Sequence, residues 1–211
     1  MGYWDEKYES TSFGERSWSQ VLPGPSLAFI KANADRRSAS IIDIGSGASR
    51  LFDDLLEVGF TDLTALDISQ FALAELQSRV GPEVQYICTS ILEWEPDRNY
   101  EVVHDRAVFH FLTQTTEQDR YKEILLRALA GGGIFVIGTF GPQGPDQCSG
   151  LPVSRWSVDE LREFFGPQLQ LIDSSYETHE TPWGSEQQFS WVVFKNSKKS
   201  IDCCRRVDEC D

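Results

Sequence analysis

The densest chemistry in the sequence lies in Val103-His104-Asp105-Arg106-Ala107-Val108-Phe109-His110-Phe111-Leu112, where two histidines, an aspartate and an arginine fall within seven positions. An imidazole can act as a base near neutral pH, and a carboxylate can orient a reacting group. A guanidinium can hold an anion or stabilise one as it forms. A second cluster, Asp43-Ile44-Gly45-Ser46-Gly47-Ala48-Ser49, follows a short apolar run. Glycines there permit a tight turn and let a ligand approach the backbone at a helix N-terminus. Twenty residues beyond Gly47 stands Asp67, at the end of the next apolar run. In an open α/β sheet an acidic residue at that place can accept hydrogen bonds from both ribose hydroxyls.

These clusters need elements to position them. Ser40–Ile44 reads as a buried strand, followed by a helix over Ser49–Val58 with Leu51, Phe52, Leu55 and Leu56 on one face and Gly59 as its stop. Leu63–Leu66 is a second strand. Ser69 caps a helix carrying Leu73, Leu76 and Val80 that stops at Gly81-Pro82. Val84–Ile87 and Glu101–His104 are the third and fourth strands. A helix from about Glu117 to Ala130 should end at Gly131-Gly132-Gly133, before a fifth strand, Ile134–Phe140. Strands alternating with helices imply a mostly parallel sheet covered on both faces. The rhythm then changes. After a helix with a capping-box start at Ser157 and Glu160 come Leu169–Tyr176 and Gln187–Phe194, joined through Pro182-Trp183-Gly184 and expected to pair as an antiparallel hairpin. The expectation is one domain over residues 1–194, whose aromatic N-terminal segment is residues 1–30, with a polar, disordered tail at 195–211.

Composition narrows the partners. The net charge of −14 argues against a substrate held through phosphates, so no nucleic acid is expected. No apolar run is long enough to cross a bilayer, and the start, MGYWDEKYES, lacks the basic flank and apolar stretch of a signal peptide. A cytoplasmic protein without a membrane partner is the expectation. Five cysteines, three of them Cys203, Cys204 and Cys210, read as reduced thiols, and no spacing supports a metal site.

The cofactor follows from finer detail. Dinucleotide folds place Gly or Ala at the last glycine position, which here is Ser49. The acidic Asp43 before the glycines suits a ligand with a cationic amine rather than a pyrophosphate. With its acidic-x-Gly-x-Gly turn, Asp67, its strand order and its terminal hairpin, the sequence resembles the class I S-adenosylmethionine-dependent methyltransferases over about residues 1–194. That resemblance implies a Rossmann-like three-layer α/β sandwich, a seven-stranded mostly parallel sheet with a C-terminal antiparallel hairpin. It implies S-adenosyl-L-methionine as cofactor and S-adenosyl-L-homocysteine as product. Gly45 and Gly47 would lie under the methionine portion, Asp67 on the ribose and Ile68 against the adenine, with Ser46, Ser49 and Ser69 also among the cofactor-binding residues. An Asp after the third strand meets the adenine amino group in many members. Here Ser90 stands at that position, followed by Ile91, and a hydroxyl or the backbone could still accept the hydrogen bond. Trp4, Tyr8 and Trp18 would form a lid, whose aromatic faces favour a sulfonium cation and whose closure excludes water.

The acceptor is less constrained. Asp105-Arg106-Ala107 after the fourth strand is similar to the corresponding segment of thiopurine and related small-thiol S-methyltransferases. That likeness puts Arg106 beside a developing thiolate and Asp105 on the site or the cofactor. His110 is a candidate base because an imidazole titrates near neutrality, while His104 is expected to face the other side of the strand. The loop Phe140–Pro152, with Cys148, reads as a substrate cover, and His179 and Trp183 could close the same pocket. A small-molecule acceptor with a soft nucleophile is the leading expectation. The alternatives are a protein-lysine methyltransferase, whose Trp-Asp-x-x-Tyr segment Trp4, Asp5 and Tyr8 match but whose Asp-Lys-Gly-Thr motif Arg106-Ala107-Val108 does not, and a cofactor-binding regulator without turnover.

Overall fold

The computed structural model describes residues 2–18, 24–34 and 36–198. Helices α1 (Tyr3–Ser10) and α2 (Gly24–Asn33) precede an alternation of β1 (Ser40–Ile44), α3 (Leu51–Glu57), β2 (Asp62–Asp67), α4 (Gln70–Val80), β3 (Val84–Cys88), β4 (Tyr100–Arg106), α5 (Thr115–Ala128) and β5 (Leu129–Phe140). A short ribbon, β6 (Gln147–Cys148) with β7 (Leu151–Pro152), then leads to α6 (Val158–Phe165), β8 (Leu169–Glu180) and β9 (Glu186–Asn196). Among the described residues the main sheet has seven strands in the order β3-β2-β1-β4-β5-β9-β8. Only β9 runs antiparallel within it, pairing with β5 on one side and β8 on the other.

Every residue of β1 is buried, as a central parallel strand covered on both faces requires. Ile30 of α2, Phe52 and Leu55 of α3 and Leu73 and Leu76 of α4 cover one face. Tyr121, Ile124 and Leu125 of α5 and Leu161 and Phe165 of α6 cover the other. Burial of such side chains is worth roughly 1.5–3 kcal/mol each. Helix α3 spans 7 residues, too few for an isolated helix in water, so packing rather than propensity holds it. The caps read from sequence are present: Ser69 accepts from the Ala72 amide at 3.2 Å, and Ser157 and Glu160 form the capping box at the start of α6.

Several boundaries differ from expectation. Strand β4 continues through Asp105 and Arg106, which stay in register with Ile44 of β1 and Gly138 of β5. Helix α5 stops at Ala128, and the glycine run lies inside β5 instead of ending a helix. A Cβ at Gly133 would lie 2.9 Å from the Ala130 carbonyl oxygen and 3.1 Å from that of Glu101. The run therefore serves a close approach of backbones beside the irregularity between Tyr100 and Val102. The hairpin strands are longer than expected, and β9 runs to Asn196, so the tail boundary at 195 falls within a strand. Cys203, Cys204 and Cys210 lie outside the described residues.

Candidate functional site

In this strand order the connections from β1 and β4 leave in opposite directions, which opens a crevice at their carboxyl ends. A cavity of about 230 Å³ occupies it. Its floor is the turn after β1. Gly45 and Gly47 hold φ of +64° and +52°, a region that costs other residues about 1–2 kcal/mol. A Cβ on Gly45 would sit 1.9 Å from Val108 Cγ2, so the turns after β1 and β4 are in direct contact. Asp67 closes the second side. Its Oδ2 accepts from the Gly47 amide at 2.7 Å and its Oδ1 from the Ser69 amide at 2.8 Å. Burial raises its carboxyl to about 6 despite those two donors. Each carboxylate oxygen keeps a further lone pair for a ligand hydroxyl.

Ser46, Ser49, Ile68, Ser90 and Ile91 line the same cavity, together with Thr89, which the sequence reading did not single out. Ile68 is 54% exposed, an apolar side chain left open at the cavity's edge. The Ser46 hydroxyl is buried without a partner, a polar group available to a ligand. Ser69 and Gly47 are not among the lining side chains. Ser69 caps α4 and donates to Asp5 Oδ1 at 2.8 Å. Gly47 has the Tyr8 hydroxyl 2.1 Å from where its Cβ would be.

That contact belongs to the roof. Trp4, Tyr8 and Trp18 face the cavity, with Trp4 edge-on to Trp18 and Phe111 at centroid distances of 5.8 and 5.1 Å. Trp18 Nε1 donates to the Tyr8 hydroxyl at 3.2 Å. Arg16, absent from the sequence reading, fastens the roof. It donates to both Glu75 oxygens (3.0 and 2.8 Å) and to the carbonyls of Tyr8 and Thr11 (3.2 and 2.6 Å), and it stacks over the Tyr8 ring. No local motif announces this arginine, because its ion pair reaches across 59 positions to α4.

The longer β4 decides which polar residues reach the cavity. Side chains alternate along a strand, so His104 and Arg106 share one face and Asp105 takes the other. His104 and Arg106 line the cavity. Asp105 is turned into the opposite core, where its carboxylate accepts from the Tyr121 hydroxyl at 2.6 Å and the Val108 amide at 3.0 Å. It is absent from the lining, which corrects its expected contact with substrate or cofactor. His110 is likewise displaced by the 3₁₀ turn Phe109–Phe111. It is fully buried against Phe140 and Phe111, with centroids 4.3 and 4.5 Å away. Burial, reinforced by the Arg106 charge, pushes its imidazole down to about 3, and it does not line the cavity. The expected base is therefore a neutral core residue.

His104, expected to be a bystander, has Nδ1 2.6 Å from Asp43 Oδ1 and stacks on Trp191. Arg106 Nη1 donates to the Trp18 carbonyl at 2.9 Å, and its guanidinium lies over Phe189 at 4.9 Å. Its Nε and Nη2 are buried without partners. Burial lowers it to about 10, so it remains charged at neutral pH. Cys148 lines the cavity, and His179 Nε2 donates to the Ser17 carbonyl at 2.9 Å beside the roof. Trp183 is 60% exposed at the hairpin turn, outside the lining. Among the described residues no group of three His, Cys, Asp or Glu could hold a metal ion, and no helix is long and apolar enough to cross a membrane.

Residues 41–133 match the family model described as a methyltransferase domain. That match covers less than half of the chain and stands as a likeness to a methyltransferase domain. Among particular proteins, the chain is similar to the EEF1A lysine methyltransferase 2 of Danio rerio, 25% identical over 171 residues, or 76% of this chain and 65% of that protein. The chain thus spans less than two thirds of the length of the curated relatives it matches, and only about a sixth of two of them. Two solved structures share the fold. One concerns the conversion of a disulfide bond into a thioacetal group during echinomycin biosynthesis (TM-score 0.72, 20% identity, 92% of this chain and 91% of that one). The other is the N-methyltransferase NodS from Bradyrhizobium japonicum WM9 in complex with S-adenosylhomocysteine (TM-score 0.71, 13% identity, 92% and 98%).

The buried Asp105 gives a prediction. Burial raises its carboxyl to about 6, so folding favours its protonated form and stability falls as pH rises from about 4 to about 6. The Tyr121 hydroxyl offsets part of that loss by donating to the ionised group. Tyr121→Phe should therefore cost about 2–3 kcal/mol at pH 8 and about 1 kcal/mol at pH 5 in urea unfolding, the difference between a charged and a neutral acceptor. Equal losses at the two pH values would contradict this placement of the charge.

Proposed function

We propose that the protein is a methyltransferase that binds S-adenosyl-L-methionine in this cavity and moves its methyl group to a small-molecule acceptor with a soft nucleophile, a thiol or sulfide. The residues fit the cofactor. Asp67 offers acceptors for vicinal hydroxyls, the Gly45–Ser46 turn and the unpartnered Ser46 hydroxyl offer a polar cradle, Ile68, Ser90 and Ile91 offer a slot for a base, and the aromatic roof favours a cation. S-adenosylmethionine would supply the methyl group on a sulfonium.

The observation that carries the acceptor class is Arg106, a buried guanidinium on the cavity wall with no carboxylate in ion-pair contact among the described residues. A charge so placed favours an anion as it develops on an acceptor. A thiol that ionises suits it. A protein-lysine acceptor is the second reading. It is favoured by the likeness to a lysine methyltransferase and by the net charge of −14, which suits a basic partner. A lysine would have to bring its ammonium beside Arg106.

Two outcomes are expected. Asp67 must be ionised to accept from two hydroxyls, so affinity for S-adenosylhomocysteine should be constant above about pH 7 and fall as pH drops through about 6. Asp67→Asn, which turns an amide donor toward an amide N–H, should bind about 10–100-fold more weakly and lose this pH dependence. Calorimetry across the pH range checks both, and a wild-type affinity that is flat from pH 5 to 8 would contradict the role of Asp67. With radiolabelled methyl donor, label should pass to small thiols or sulfide, and Arg106→Ala should lower that turnover about 100-fold while weakening S-adenosylhomocysteine binding no more than a few-fold, through its lost bond to the Trp18 carbonyl. Label found only in a protein band of a cell extract would overturn the small-molecule reading in favour of lysine.

A further inference from the structure

We infer that His104, oriented by Asp43, is the base that takes the proton from the acceptor's nucleophile, and that Arg106 pairs with the anion left behind. This inference rests on the methyltransferase reading above and assigns the proton-transfer step within it. Asp43 and His104 are neighbours in register on β1 and β4, both almost wholly buried, and the cavity is lined by both. An ionised carboxylate only accepts, so Asp43 fixes the tautomer with the proton on Nδ1 and the lone pair on Nε2. Trp191 stacks on the ring, and Trp191 is itself held by a 2.7 Å bond from its Nε1 to Glu177. The ring therefore has one orientation. Its Nε2 is buried and has no partner among the described residues, while Arg106, two positions along the same strand face, has Nε and Nη2 in the same condition.

Both residues line the cavity, and together they hold an unused acceptor and unused donors, closed off from solvent in the cofactor-free protein, the complement of a neutral X–H group. A thiol entering there would donate to Nε2, and its sulfur would face the guanidinium. On reaction the S–H proton moves to Nε2 and its electron pair stays on the acceptor's sulfur. S-adenosylmethionine would supply the methyl, the new S–CH₃ bond forming as the methyl–sulfonium bond breaks and leaving that bond's pair on the cofactor's sulfur. Total charge is conserved, because the sulfonium's positive charge is lost as the imidazolium's appears, with Asp43 facing the imidazolium and Arg106 having held the thiolate. The imidazolium returns its proton to solvent when the products leave.

A purely structural clip between β1 and β4 would keep the same hydrogen bond, so the test must read proton transfer. The chain has three histidines, and ¹⁵N spectra of the cofactor-free protein can identify the His104 ring by its loss in His104→Gln. The expected ring carries its proton on Nδ1. A wild-type ring protonated on Nε2 would overturn the assignment. In turnover at pH 7, His104→Gln should slow an alkyl thiol, which is protonated there, about 100-fold. An acidic aryl thiol, already a thiolate, should react at nearly the wild-type rate, and S-adenosylhomocysteine binding should be unchanged by calorimetry. Equal losses on the two thiols, or no loss on either, would overturn the base. If the wild-type protein methylates neither thiol, the soft-acceptor reading fails and the base falls with it. Wild-type turnover with an unaffected variant removes the base alone.

Discussion

The rest of the site depends on the contact between two turns at the carboxyl edge of the sheet. Gly45, at the end of β1, lies so close to Val108, past the end of β4, that no side chain fits between them. Parallel pairing sets that contact, because Asp43 opposite His104 and Ile44 opposite Asp105 bring both strands to the edge in step. The backbone also strains to keep it. Ala107, a residue with a Cβ, adopts φ of +70° and donates its amide to the Gly138 carbonyl at 2.9 Å. Left-handed alanine is costly, and such residues concentrate where position matters more than comfort. Here the turn directs the chain away from Arg106, whose side chain keeps the cavity wall.

Three buried carboxylates show how environment divides one residue type among different tasks. Asp67 and Asp105 are both raised to about 6 by burial. Asp67 is held by two backbone amides at the cavity rim and retains lone pairs for a ligand. Asp105 meets Tyr121 and the turn at Val108 on the far face, where it pins α5 to the sheet. Asp43 faces an imidazole across one strand spacing. The roof has its own logic, since α1 is short and amphipathic only weakly. Side-chain clamps keep it down: Asp5 to Ser69, Arg16 to Glu75, and Tyr3 to the Ser149 carbonyl in the loop after β5. Roof and cover loop are thereby tied together over the same opening.

Much of the architecture was legible in the sequence, because strand–helix alternation, caps and turn residues are local signals. β1, β2, the helix from Ser69 and the terminal hairpin all lie close to their expected positions. The glycine turn and Asp67 were legible for the same reason: their spacing encodes a backbone shape. The end of β4 was not. Polar Asp105 and Arg106 look like loop, and only pairing with β1 and β5 keeps them extended. That error of two residues reversed the assignment of faces, making Asp105 a site residue and His104 a bystander. His110 misled in a similar way, because a histidine among aromatics near a crevice has no sequence mark that says which side it packs. Arg16 and the Asp43–His104 pair are tertiary contacts and carry no local signature.

The central claim is that the crevice between β1 and β4 is built for S-adenosylmethionine and not for a dinucleotide. Calorimetric titration of the full chain with S-adenosylhomocysteine and, separately, with NAD tests it most directly. Saturable binding of S-adenosylhomocysteine with a stoichiometry of about one per chain and no heat from NAD is the predicted result. Binding of NAD in preference, or no binding of S-adenosylhomocysteine, would contradict it.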